Sequence, residues 1–250
     1  MAVPADLKEL LEAGSHFGHQ TKRWNPKMAE YIYTARDGVH VLDLTITADL
    51  LDKACEYVRD TVASGREVVL IGTKRQAKAI VREEAAKAGA PFVAERWLGG
   101  TLTNWDEIGK RIRKLVEMKA KKEAGEYKKY TKKENVLIDK DINRLERFLG
   151  GISRLKEIPE ALFIVDTLKE KAAVLEAVSC GVKLVAIVDS NCDPDPIDYP
   201  IPANDDAVRS IKYIVSRIAT AYAEGKAVAD KRKAQSEKVK AKDQGNKVTK

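Results

Sequence analysis

The feature that most constrains this chain is the alternation of short, β-branched apolar runs with helical periodicity. The runs are Glu30–Thr34, Val39–Leu42, Val68–Ile71, Pro91–Ala94, Leu162–Val165 and Leu184–Val188. Most are followed by amphipathic patterns, over about 47–64, 74–88, 168–179 and 205–224. Near-continuous apolar strands interleaved with helices call for a parallel sheet with helices on its faces. In the last pattern Val208, Ile211, Val215, Ile218 and Tyr222 recur three and four apart. Asn204 is placed to cap that helix, and Asp205 and Asp206 put negative charge in its first turn. The first two runs differ. They meet at Asp37-Gly38, a strong hairpin signal, so a hairpin is expected before the parallel sheet or feeding its second strand into it.

The central segment breaks the alternation. Asn104 with Glu107 and Thr131 with Glu134 have the spacing of capping boxes. Trp105, Ile108, Ile112 and Leu115 follow the first, and Ile138, Ile142, Leu145, Leu149 and Ile152 follow the second. Gly125 lies between them. The pattern predicts an antiparallel helical hairpin over 105–150 with a narrow coiled-coil seam. Helices of this size extend roughly 30 Å at 1.5 Å per residue. Such an arm suits docking and adds nothing obvious to the core. Gly99-Gly100 and Gly150-Gly151 are placed as its joints. The chain thus divides into an α/β body (1–104 and 151–224), the hairpin (105–150) and a basic tail (225–250). The tail has no periodic apolar face and is expected to be disordered when free.

Net charge is +7, and it is unevenly spread. The tail carries nine Lys/Arg against three Asp/Glu, and residues 106–150 carry fourteen against nine. Residues 1–105 balance, and 151–224 have eight against twelve. The basic character therefore sits in two segments, which argues for local contacts with a polyanion. The alternative is simply solvated helix faces. No apolar run approaches the ~18 residues of a membrane span, and no signal-like hydrophobic region follows Met1. Cys55, Cys180 and Cys192 form no CxxC pair. A reducing, cytoplasmic setting is expected.

Four stretches carry candidate chemistry. In the first, Lys22, Arg23 and Lys27 offer phosphate contacts, while Phe17, Trp24 and the rings of His16 and His19 offer stacking faces. His16 and His19 also suggest a metal, but no Cys or carboxylate lies close in sequence to complete the set. In the second, Gly72-Thr-Lys74-Arg75 turns from a strand into a helix without GxxxxGK[ST] or GxGxxG, so Lys74 and Arg75 read as RNA-phosphate contacts. In the third, Arg96-Trp97 to Asn104 leads into the hairpin, whose first helix presents Lys110, Arg111 and Arg113. The fourth, 189–206, gathers six carboxylates after a strand end. There the sequence leaves two readings open: a structural divalent ion (Mg or Zn) on Asp189, Asp193 and Asp205 or Asp206, with His40 if the strands are neighbours, or helix capping plus solvation. No cofactor is required by either. No Ser-His-Asp or Cys-His arrangement can be read from spacing.

Leu11-Glu-Ala-Gly-Ser-His-Phe-Gly-His-Gln, Arg23-Trp-Asn-Pro-Lys-Met, Gly72-Thr-Lys, Arg96-Trp-Leu-Gly-Gly-Thr-Leu-Thr-Asn, Leu149-Gly-Gly-Ile, Asn191-Cys-Asp-Pro-Asp and Ile201-Pro-Ala-Asn-Asp-Asp-Ala stand together in order. This set resembles the bacterial family of small-subunit ribosomal protein two from about residue 7 to 224, with Ala203 where the family often has Gly. The resemblance implies a flavodoxin-like body interrupted by a coiled-coil hairpin, seated on the solvent side of the small subunit between head and body. It implies binding of small-subunit ribosomal RNA, help in recruiting the messenger-RNA-handling protein number one, no enzymatic activity and no independent homo-oligomer. It marks His16 to Lys27 and Arg96 to Asn104 as RNA- or partner-facing. Two other readings of the residues stay open: a Mg-dependent, phosphatase-like α/β enzyme using the 189–206 carboxylates, and a helical-hairpin adaptor that binds protein but no RNA.

Overall fold

The computed structural model describes residues 4–245, with side chains through Arg232. Helix α1 (Leu7–Glu12) is capped by Asp6, whose carboxylate accepts the Lys8 amide at 2.8 Å. Strands β1 (Phe17–Gln20), β2 (Ile32–Arg36) and β3 (Val39–Leu42) then form a small antiparallel sheet in the order β1-β3-β2. Asp37 and Gly38 both take positive φ (51° and 77°), the geometry of a two-residue hairpin turn whose twist matches its strands. The hairpin therefore precedes the parallel sheet and does not join it. Strand β1, not among the runs read as strands from the sequence, completes the small sheet.

The main sheet contains β4 (Val68–Ile71), β5 (Phe92–Val93), β6 (Ala161–Val165), β7 (Lys183–Val188) and β8 (Tyr199–Pro202). All are parallel, in the order β5-β4-β6-β7-β8. By appearance that is 2-1-3-4-5, the flavodoxin-like order. Strand β8 is not among the apolar runs read as strands from the sequence, and it contains Pro200 and Pro202. Prolines are tolerated because β8 is an edge, where a missing N–H leaves no ladder gap.

Side chains alternate across the sheet. Val68, Leu70, Phe163, Val165, Val185 and Ile187 face helices α2 (Leu44–Ala63), α3 (Lys78–Ala88) and α7 (Val208–Gly245). Val69, Ile71, Leu162, Ile164, Leu184 and Ala186 face α6 (Lys171–Cys180) and the base of an inserted helix pair. That pair is α4 (Trp105–Glu123) and α5 (Lys132–Leu149), tied to each other by Lys119–Glu146 and by Lys122–Asp139 at 2.7 Å.

Two expectations for the pair need correction. Ile108, Ile112, Leu115, Ile142 and Leu149 are buried in the second core, so the base of the insertion covers one face of the sheet. The Asn104 side chain makes no capping bond, and Glu107 pairs with Lys110 instead. The Thr131–Glu134 capping box is complete. At the return joint, a Cβ on Gly151 would collide with the carbonyl oxygen of Phe92, so only glycine lets the connection lie against β5.

The chain crosses the boundary expected at 224/225 without a break in the helix. Helix α7 runs unbroken to Gly245. Gly225 lets it press against the α2 backbone at Arg59, Ala229 is buried, and Arg232 donates to the Ala63 carbonyl. Lys, Ala and Gln are good helix formers, which allows continuation without a strong apolar stripe. Residues 246–250 of the tail lie outside the described residues.

Candidate functional site

The carboxyl edge of the main sheet collects the polar residues, as open α/β sheets arrange their sites. On the β7/β8 side Lys74 is the centre. It leaves β4 through Gly72-Thr73, and its ammonium lies 2.7 Å from Asp205, 2.6 Å from Asp206 and 3.3 Å from Asp166. Lys74 is 14% exposed and Asp205 only 2%. Burial opposes the charge on Lys74, but the hydrogen bonds it donates to Asp205 and Asp206 prevail and hold its pKa above the ordinary lysine value. For Asp205, burial and the charges of Asp166 and Asp189 outweigh Lys74, and its pKa rises to about 7. Lys74, read from the sequence as an RNA contact, thus has three carboxylate partners inside the protein.

His19 joins this group from β1. Its Nδ1 is 3.0 Å from Asp189 and its Nε2 is 3.6 Å from Asp206, while its amide donates to Ser190 Oγ at 2.7 Å. The hydrogen bond to Asp189 raises the His19 pKa, against the opposing effect of burial. Carboxylates that sequence spacing could not supply to His19 are brought to it by the fold. His19, Asp205 and Asp206 each offer a donor atom within 4.8 Å of the others. The other residues named for an ion lie differently. Asp193 is taken by Lys27 at 2.8 Å, and Lys27 also pairs with Asp195 at 2.5 Å. His40, 8% exposed, stands beside Trp24 with ring centroids 5.1 Å apart.

The connector 96–104 is anchored by a residue that sequence reading missed. Glu176 of α6 accepts Trp97 Nε1 at 3.1 Å and the amides of Gly100 at 2.8 Å and Leu102 at 2.9 Å. Burial works against its charge, but these donors dominate and its pKa falls below the usual glutamate value. Trp97 is 6% exposed, its indole held against α6. The Gly99-Gly100 joint is thereby tied to α6 through the Gly100 amide. A signal for Glu176 did exist: it adjoins the buried Ala173 and Ala177, where an acid needs donors.

The remaining named residues lie at the surface. Lys22 and Arg23 end a short 3-10 turn and are exposed. Phe17 is 51% exposed and packs against the half-buried His16, ring centroids 4.0 Å apart. Burial lowers the His16 pKa, so its ring favours the neutral form. Trp24 is exposed. Asn104, Arg111 and Arg113 are exposed on or before α4, where Lys110 is held by Glu107. Arg111, Lys114 and Arg144 border a groove of about 420 Å³ floored by Leu98, Leu145 and Phe148. Arg75 and Arg96 are exposed.

Comparison with known families gives one finding. The sequence model described as ribosomal protein S2 matches residues 10–225, which takes in the small antiparallel sheet, the parallel sheet and the inserted helices. The chain belongs to the ribosomal protein S2 family, a family of small-subunit ribosomal proteins.

Proposed function

We propose that the protein is a non-catalytic constituent of the small ribosomal subunit that grips small-subunit ribosomal RNA at a few cationic points. One observation carries this reading: charge is sorted by whether it has a partner. The acids at the sheet edge are neutralised within the fold by Lys74, Lys27 and His19. Lys22, Arg23, Arg111, Arg113 and Lys114 form no ion pair among the described residues, although other cations of the inserted pair do. Unpaired, exposed cations on separate elements suit a phosphate backbone. The pair α4/α5 then acts as a coiled-coil arm, with its base in the core and its outer basic face on RNA.

Apolar exposure supports protein neighbours at another corner. Leu11, Phe17 and Val208 are exposed near the point where Asn204 binds Gly14 and Ser15 through their carbonyl oxygens. We assign this corner to neighbouring subunit proteins, including the messenger-RNA-handling protein number one, and the protein to ribosomes in the cytoplasm. Among the described residues no helix is long and apolar enough to cross a membrane. The carboxylates that suggested a Mg-dependent phosphatase are already engaged, Asp189 by His19 and the other five by Lys27, Lys74 and Lys183. The reading needs no cofactor: Lys74 supplies the cation of its cluster, and a divalent ion at His19, Asp205 and Asp206 has to displace it.

Co-sedimentation tests the reading. The protein is expected to travel with small subunits at low salt and to leave them as salt rises, because phosphate contacts release counterions. Recovery in the subunit-free fraction at low salt overturns the proposal. Retention through protein contacts alone, with no RNA crosslinks, favours the adaptor reading.

A further inference from the structure

The turning point of the strand order lies between β4 and β6. The chain leaves β4 toward β5 on one side and returns as β6 on the other, so a crevice opens at their carboxyl ends. Lys74 closes the crevice toward β7 and β8. Toward β5 it remains an open cleft of about 640 Å³, with Arg75 contributed by the loop after β4, Arg96 by the loop after β5 and Lys169 by the turn into α6.

Lys78 makes a fourth cation, against the two carboxylates Glu95 and Glu170. Both acids are already occupied. Glu95 accepts from Lys78 at 3.1 Å, Arg82 at 3.1 Å and Arg147 at 3.1 Å. Glu170 is buried and accepts the Thr73 hydroxyl, and burial favours its neutral form. Arg75 and Arg96 have no ion pair and no side-chain hydrogen bond among the described residues. Lys169 gives one hydrogen bond to the Thr73 carbonyl at 3.2 Å and keeps two donors. Guanidinium groups from separate loops, facing one cleft without an acid to satisfy them, suit a small anion with several acceptor oxygens.

We propose that this cleft clamps one phosphodiester of RNA, with Arg75 and Arg96 as its principal donors and Lys169 as the third. This deepens the RNA reading above and rests on it. A backbone phosphate fits better than a nucleotide read by its base, because Trp97, the aromatic residue lining the cleft, is only 6% exposed and leaves little ring face for stacking. The adjacent residues Lys74 and Arg75 then have opposite roles, one structural and one RNA-binding.

The test is binding of the full chain to small-subunit ribosomal RNA across a salt series, comparing wild type with R75Q/R96Q. Both residues are exposed and unpaired, so thermal unfolding of the variant is expected to match wild type, and R75K/R96K controls for charge. Loss of one clamped phosphate lowers the slope of log K against log salt by about one and weakens low-salt binding by about tenfold. The lysine variant is expected to keep the slope. An unchanged slope and affinity in R75Q/R96Q, with wild-type binding intact, overturns the cleft but leaves the RNA reading standing. Failure of wild type to bind RNA at any salt overturns both. Protection of Arg75 and Arg96 from guanidine-modifying reagent by inorganic phosphate, without any effect of R75Q/R96Q on RNA binding, overturns the phosphodiester assignment in favour of a small-molecule site.

Discussion

The two halves of the sheet's carboxyl edge are built from similar loops and behave in opposite ways. Toward β7 and β8, acids from three loops converge and the fold answers them with Lys74, His19 and, at the rim, Lys27. Toward β5, Arg75 and Arg96 face an open cleft and the fold leaves them unanswered. Lys74 and Arg75 are neighbours in sequence, yet they fall on opposite sides of this divide. Charge along a sequence therefore locates polar ground, but partnering decides whether it holds the fold together or remains available to another molecule.

The sharpest way to break the acidic half is K74M. Asp205 and its neighbours then lose their buried cation, and removing one member of such a group costs about 3–5 kcal/mol. Denaturant unfolding at neutral pH measures this. The effect depends on pH through Asp205, whose folded pKa of about 7 lies above its usual 3.8. The folded state thus binds a proton more readily than the unfolded chain, so Asp205 opposes folding above pH 7 and this opposition fades toward pH 4. K74M is expected to lose most stability at pH 8 and least at pH 5. Equal loss at both pH values breaks the claim that Lys74 serves as the counter-ion of Asp205.

Glu176 tests the opposite kind of acid, one whose charge is wanted. E176A strands the amides of Gly100 and Leu102 and the indole of Trp97, and a hydrogen bond to a charged group contributes on the order of 2 kcal/mol. Because the folded pKa is lowered, this support is present above the unfolded pKa of 4.5 and is lost as pH falls through the folded one. Hydrogen exchange at Gly100 and Leu102 is expected to speed up in E176A, and E176Q is expected to recover part of the protection. Unchanged exchange would show that the connector is held by packing alone.

The same contrast explains what the sequence revealed. Val68–Ile71, Ala161–Val165 and Lys183–Val188 are legible as strands because burial on both faces demands unbroken apolar runs. Tyr199–Pro202 is not, because its prolines are permitted only by an edge position that sequence does not show. The inserted helices are legible from period and turn, but their share in the core is not, since one apolar stripe serves a partner helix or a sheet equally well. At the site, His16 to Lys27 stands out by density of residue types. The meeting of His19 with Asp189 and Asp206 brings together residues 170 and 187 positions apart in the chain, with His19 placed by β1 on its pairing with β3. Glu176 is a single acid on a helix, and its one local signal is its place beside Ala173 and Ala177 on the buried face; the donors it serves lie more than seventy residues away in sequence.

Within the first loop the comparison predicts a split between adjacent basic residues. Lys22 and Arg23 are exposed and unpaired, whereas Lys27 is shared by Asp193 and Asp195. K22E/R23E is expected to weaken low-salt subunit binding about tenfold, as loss of phosphate contacts does, and K27A to change it by less than about twofold, since exposed ion pairs contribute little. Equal losses measured by co-sedimentation would place Lys27 on the RNA.

The smallest effect expected is that of His19. Its hydrogen bond to Asp189 raises its folded pKa above 6.5. The associated stabilisation is therefore complete below pH 6.5 and disappears as pH rises through the folded value. The ring is partly exposed, so solvent screens the interaction and the expected contribution is under about 1 kcal/mol. H19Q keeps a polar side chain and removes the titration, so wild type and H19Q are expected to differ in thermal stability at pH 6 and to converge at pH 8.5. The slopes from Asp205 and His19 have the same sign and cannot be told apart in wild type, because both stabilise as pH falls toward 6. The H19Q curve separates them, and a slope unchanged from wild type assigns the whole pH response of this edge to the carboxylates around Lys74.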